Sequence, residues 1–240
     1  MKFYVIACDV VYRECLKAAA YSPHTATLSF HPLGMHDKPD ELRAVLQEDI
    51  DSASGSQYDY ILLAYGLCSR VTAGLKSNDT PIVIPRAHDC ITLLLGSQEA
   101  YRTEFESHPG TYYYSCGWIE RRGEGSTRQG IDRLAEAKYQ EYVEKYGEDN
   151  AKYLFDMESQ WLTHYNRTAL IDMGMGDLEQ YRAYTKSIAS DNDWAYDEIP
   201  GDTRLIDNLL FGDWNSGEYL IVSPGQKTVE SVNAGIISAI

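Results

Sequence analysis

No run of apolar residues in this chain reaches the roughly 20 that a membrane-spanning helix needs. Basic residues are scarce too: 21 Lys and Arg stand against 36 Asp and Glu, a formal net charge of −15. A field of that sign repels phosphate backbones and anionic lipid surfaces, which argues against nucleic-acid and membrane partners. Its ordinary role is solubility. The opening Met1-Lys2-Phe3-Tyr4-Val5-Ile6 lacks the longer apolar stretch and small-residue cleavage site of a signal peptide, so a cytoplasmic location is expected. There is no G-x-S-x-G nucleophile elbow, no G-x-G-x-x-G fingerprint, no strict repeat and no low-complexity tract.

What is present is a chain of 240 residues, 44% hydrophobic, enough for one large α/β domain or two small lobes around a shared cleft. Tyr is abundant, at 19 residues, and suits positions where the ring packs and the hydroxyl stays wet. The five cysteines are odd in number. In a reducing compartment they read as buried fillers, metal ligands or catalytic thiols, not disulfides.

Apolar β-branched runs alternate with helical patterns along the whole chain. Strands are expected over Phe3–Ala7, Thr25–Phe30, Tyr60–Ala64, Pro81–Ile84, Thr111–Tyr114, Thr168–Asp172, Trp194–Glu198 and Tyr219–Val222. Helices fall between them, with Asp9, Pro39, Asp89 and Asp177 near their starts. Residues 117–130 read as a mobile linker, and residues 129–165 as a long helical region that Gly147 can divide. This alternation predicts an α/β protein with a mostly parallel, Rossmann-like sheet or two such sheets, helices on both faces, and lobes around a cleft. The expected division is an N-terminal α/β lobe over 1–118, a linker and helical region over 119–166, and a smaller C-terminal α/β portion over 167–240 packed against the first.

Open α/β sheets bind ligands at the carboxyl ends of their strands. Cys8, Cys68, Cys90 and Cys116 each follow such a strand, and His88 lies two residues before Cys90, on the same side of an extended segment. Up to four thiolates and one imidazole thus come toward one cleft, a donor set for zinc or, with all four sulfurs, an iron–sulfur cluster. The competing reading is that free cysteines simply fill core space. It leads for Cys15, which sits in a helix beside Ala18 and Ala19. Asp9, Arg70 and Arg86 lie near the same strand ends, and Arg70 and Arg86 can hold a carboxylate or phosphate of a small substrate. Their plainer role is surface ion pairing. Asp89 can orient His88 or cap its helix, and the cap is the simpler assignment. The other histidines, His24, His31, His36, His108 and His164, read as solvated or packing residues. The turn Met173-Gly174-Met175-Gly176-Asp177 is a weak phosphate-loop signal.

Two resemblances add to this. His88-x-Cys90 with the later Cys116 resembles the zinc site of cobalamin-dependent thiol methyltransferases, over three residues and on a different fold. More broadly, Ala7-Cys8-Asp9 with Arg13-Glu14-Cys15, Tyr65-Gly66-Leu67-Cys68, Pro85-Arg86-x-His88-Asp89-Cys90 with Leu95-Gly96-Ser97, and Tyr114-Ser115-Cys116-Gly117-Trp118 resemble the family catalogued as domain of unknown function 1638. That resemblance implies an anaerobic setting near corrinoid-dependent methyl-transfer systems, and no established reaction. The leading expectation is a metal–thiolate protein of one-carbon metabolism. Its metal ligands would be Cys68, His88, Cys90 and Cys116, with Cys8 as an alternative ligand. Arg70, Arg86 and Asp9 would hold an anionic or thiol substrate, and a corrinoid or a methyltransferase protein could make contact. The alternatives are a non-enzymatic, cluster-carrying partner of methyltransferases, and a cysteine-nucleophile transferase or hydrolase with His88 as base.

Overall fold

Strand β1 (Lys2–Cys8) opens a five-stranded sheet of order β2-β1-β3-β4-β8, with β2 at Thr25–His31, β3 at Tyr60–Ala64, β4 at Ile82–Pro85 and β8 at Tyr219–Val222. The computed structural model describes all residues except 56, 69, 122–138, 160–163, 215–216 and 232–234, and the backbone alone of 37, 149, 154 and 156–159. The first four strands of this sheet run parallel, and β8 closes it antiparallel to β4. Ile61–Ala64 and all of β4 are buried. Their unbroken apolar runs are what a parallel strand covered on both faces requires.

Helix α1 (Tyr12–Tyr21) carries the chain from β1 out to β2, and α2 (Pro39–Ala53) carries it back across β1 to β3. Crossovers between parallel strands are right-handed as a rule, which puts α1 and α2 on opposite faces, and the reversal of strand order leaves a switch point at the carboxyl ends of β1 and β3. Asp9 does not cap α1 as its position suggests. It opens a 3-10 turn, and the residue before α1 is Val11, without a side-chain cap. Asp89, by contrast, caps α3 (Cys90–Leu94) and accepts from the Ile91 and Thr92 amides. Ser97 caps α4 (Gln98–Ser107) in the same way.

Strand β5 (Thr111–Tyr114) leaves the first sheet and pairs with β6 (Arg167–Asp172), which pairs with β7 (Ala195–Pro200), in a second, all-parallel sheet. The two sheets therefore do not follow the expected division of the chain: β5 goes with the later strands, and β8 returns to pair with β4, whose edge would otherwise stand unpaired. Of the expected linker, residues 117–120 belong to α5 (Cys116–Glu120), and 122–130 lie outside the described residues. Within the expected long helical region, residues 139–146 are helical, Gly147 takes a φ of +78°, and α6 follows at Glu148–Ser159. Helix α7 (Leu178–Asp191), capped by Asp177, joins β6 to β7, and α8 (Arg204–Phe211) packs on α1 and the first sheet. A small antiparallel pair, β9 (Thr228–Glu230) and β10 (Ile237–Ala239), carried too short a signal to be read from sequence. Among the described residues, no helix is long and apolar enough to cross a membrane.

The two lobes meet where α5 packs on the turn after β1. A Cβ at Gly117 would lie 1.9 Å from the Val10 carbonyl oxygen, so only glycine permits this approach.

Candidate functional site

The segment after β3 keeps running beside the one after β4. The Leu67 amide donates to the Ala87 carbonyl at 2.8 Å, and the Cys68 amide to that of His88 at 2.9 Å. A Cβ at Gly66 would sit 2.6 Å from the Asp89 nitrogen, so this position tolerates no side chain without displacing the start of α3. Cys68 then adopts a φ of +44°, a left-handed conformation that costs a non-glycine residue about 1–2 kcal/mol. Strain of this kind persists where surrounding contacts enforce it, and it concentrates at functional sites.

Cys68, His88 and Cys90 line a cleft of about 620 Å³ between the lobes. His36, which we read from sequence as a solvated or packing residue, lines it too, and a thiol–imidazole hydrogen bond of 3.3 Å joins its Nε2 to the Cys8 sulfur. A signal for it exists in the sequence. His36 follows strand two, which pairs directly with strand one, just as the cysteines follow their strands. Burial pushes the Cys8 thiol up to about 12, against the lowering effect of the Val10 amide. Burial likewise raises Cys68 and Cys90 above the ordinary thiol range. Negative charge nearby adds to this: Asp89 and then Cys8 raise Cys68, and Asp89, Cys68 and Cys8 raise Cys90. Three thiols and two imidazoles are thus gathered around the switch point. Among the described residues, no three His, Cys, Asp or Glu side chains stand in the spacing of a complete metal site.

Cys116 is not brought to this group. Its sulfur donates to Glu14 Oε1 at 3.4 Å in a second buried cluster, because β5 has gone to the other sheet. Glu14 is fully buried, its Oε2 has no hydrogen-bond partner among the described residues, and burial raises its carboxyl above the usual range. Nearby, Glu120 accepts two bonds from Arg13, at 2.6 and 2.7 Å, and further bonds from the Tyr12 and Tyr181 hydroxyls. Arg13 foremost holds the Glu120 carboxyl down at about 2.

The substrate-binding candidates are occupied elsewhere. Asp9 pairs with Arg121 at 2.9 Å. Arg70 pairs with Glu230 at 2.8 Å on the surface, and Arg86 donates to the Gly235 and Ile237 carbonyls at the C-terminal end. Asp89 acts as the helix cap, its other oxygen accepting from Tyr101 at 3.2 Å. Cys15 lies in the core with no exposure, as a filler should.

Residues 30–210, three quarters of the chain, match the model of the family described as protein of unknown function (DUF1638). The chain belongs to this family. The matched span holds the Cys68, His88–Cys90 and Cys116 segments, while Cys8 and the Arg13–Cys15 segment precede it. No curated protein and no solved structure matches the chain. The aromatic lining of the cleft, above all Tyr101, Tyr112 and Trp118, went unseen in the DUF1638 sequence because these side chains come from three different elements.

Proposed function

We propose that this DUF1638 protein binds a soft metal ion at the switch point, through Cys8, Cys68, Cys90 and an imidazole of His36 or His88. The cleft above the ion would receive the small molecule it acts on. The observation that carries this reading is the Cys8–His36 pair, whose sulfur and nitrogen are 3.3 Å apart. Two ligands of one tetrahedral zinc, with bonds of about 2.3 and 2.0 Å, stand about 3.5 Å from each other. The mixed sulfur and nitrogen set favours zinc over a cluster on four thiolates, since Cys116 is engaged with Glu14.

A zinc bound there would keep its cysteine ligands as thiolates, and a substrate thiol would reach the ion by taking the place of one of the four ligands. This fits a place in corrinoid-linked methyl transfer or one-carbon metabolism, which the family resemblance implies, whether as enzyme or as partner of a methyltransferase. A cysteine nucleophile is less favoured: Cys8, the thiol with the imidazole partner, is 2% exposed. Elemental analysis of anaerobically purified protein tests the proposal. One zinc per chain supports it. Protein that stays metal-free after incubation with equimolar zinc and dialysis overturns it.

A further inference from the structure

Beyond the thiol end, the cleft is walled by aromatic rings. His88, Tyr101 and Phe105 form a column with nearly parallel planes: His88 and Tyr101 are 6.0 Å apart at 29°, Tyr101 and Phe105 6.1 Å apart at 17°. Tyr101 and Phe105 are four residues apart on α4, which puts both on one helix face. The Tyr101 hydroxyl is tethered to Asp89, so its ring is held from the polar end. Phe105 completes the column yet is 56% exposed.

The second lobe adds Tyr112, Trp118 and Tyr165 to the lining. These rings brace one another, with Tyr112 5.3 Å from Tyr165 and 6.4 Å from Trp118, both at steep angles. The walls enclose a volume of about 620 Å³, within the usual small-molecule range of about 300–1,000 Å³.

We infer that the cleft binds a small molecule carrying a flat, conjugated ring system, which stacks on the His88–Tyr101–Phe105 column with one edge toward Cys68 and Cys90. A flexible aliphatic chain would gain nothing from parallel ring planes. A planar ring continues the column with an offset stack of the same kind. This inference names the class of ligand for the cleft and stands on the ring geometry, so it holds with or without the metal.

Riboflavin, a neutral tricyclic probe, and hexyl glucoside, a non-planar amphiphile, test it by equilibrium dialysis. Riboflavin should bind at one per chain, at least about tenfold more tightly than hexyl glucoside. Phe105→Leu and Tyr101→Leu keep apolar area and remove the flat face, and each should weaken riboflavin about tenfold, the scale of one lost ring stack. Phe105 is exposed, so its variant should fold even where Tyr101→Leu does not. A Cys68→Ser/Cys90→Ser variant should lose zinc and keep riboflavin binding, which separates this inference from the metal reading. Three results overturn it: no riboflavin binding up to the solubility limit of the probe, equal binding of the two probes, or undiminished riboflavin binding by Phe105→Leu.

Discussion

Cys68 and Cys116 occupy the same kind of place: each lies just past the carboxyl end of a parallel strand, is buried, and has a thiol raised mainly by that burial. Their surroundings differ. Cys68 sits in a strained turn beside two other thiols and two histidines at an open cleft, whereas Cys116 donates to a buried carboxyl where the lobes are sealed together. Strand-end position supplies a candidate, and the sheet that the strand joins decides its role. Cys68 lines the cleft, and Cys116 lies at the joint.

The sharpest way to break this contrast is by metal content. Cys68→Ser/Cys90→Ser should lower zinc affinity by more than about a hundredfold, beyond what loss of a supporting outer-shell group costs, because hydroxyls replace thiolates poorly. On the proposed site, Cys116→Ser should leave zinc affinity unchanged and keep its bond to Glu14. Competition with a chromogenic chelator measures both, and equal losses from the two variants would erase the distinction.

The two close-packed glycines offer a second comparison. Gly66→Ala and Gly117→Ala each force a Cβ into backbone, 2.6 Å from Asp89 in one case and 1.9 Å from Val10 in the other. Both should destabilise by about 1–3 kcal/mol or more in chemical denaturation. Only Gly66→Ala should also weaken zinc, since it displaces the segment holding Cys68 against His88. A Gly117→Ala protein that lost zinc as well would mean the joint and the site are one unit.

At the joint, two carboxylates respond to pH with opposite sign. Glu120 is held down to about 2 in the folded protein, so its stabilisation is present above the ordinary value of 4.5 and is lost as pH falls through that window toward 2. Glu14 is raised, so the folded state keeps a proton that the unfolded chain releases, and stability declines as pH climbs above 4.5. Thermal midpoints across pH should show Glu120→Gln losing the acid-side dependence and Glu14→Gln losing the decline on the other side. An unchanged profile in both variants would remove this account of the joint.

The smallest effect is expected at Cys15. Cys15→Ala should cost about 1 kcal/mol of stability, the price of a small buried group, and leave zinc untouched.

Much of the fold was legible because apolar periodicity is a local property. Strands β1, β3, β4 and β6, the Asp177 cap and the break at Gly147 all follow from residues within a few positions of each other. The site was legible in part: Cys68, His88 and Cys90 do line one cleft, on the strength of the strand-end rule alone. His36 escaped because a histidine in a loop looks the same whether it faces water or a buried thiol. The partners of Arg70 and Arg86 could not be read for the converse reason. Glu230 and the Gly235 and Ile237 carbonyls lie about 150 residues away in the chain, a separation over which pattern carries no information.

What the amino-acid sequence by itself determined was the alternation of strand and helix, the negative charge, and the cysteines that follow strands. These depend on intrinsic conformational preference and on the count of groups. Only the tertiary structure decided which strands share a sheet, and with that which thiols share a cleft. The reason is physical: a strand's hydrogen-bonding edge is nearly the same for every partner. The choice of β6 over β4 as the neighbour of β5 is therefore made by packing of the whole chain, and it sends Cys116 to Glu14 while leaving Cys8, Cys68 and Cys90 together.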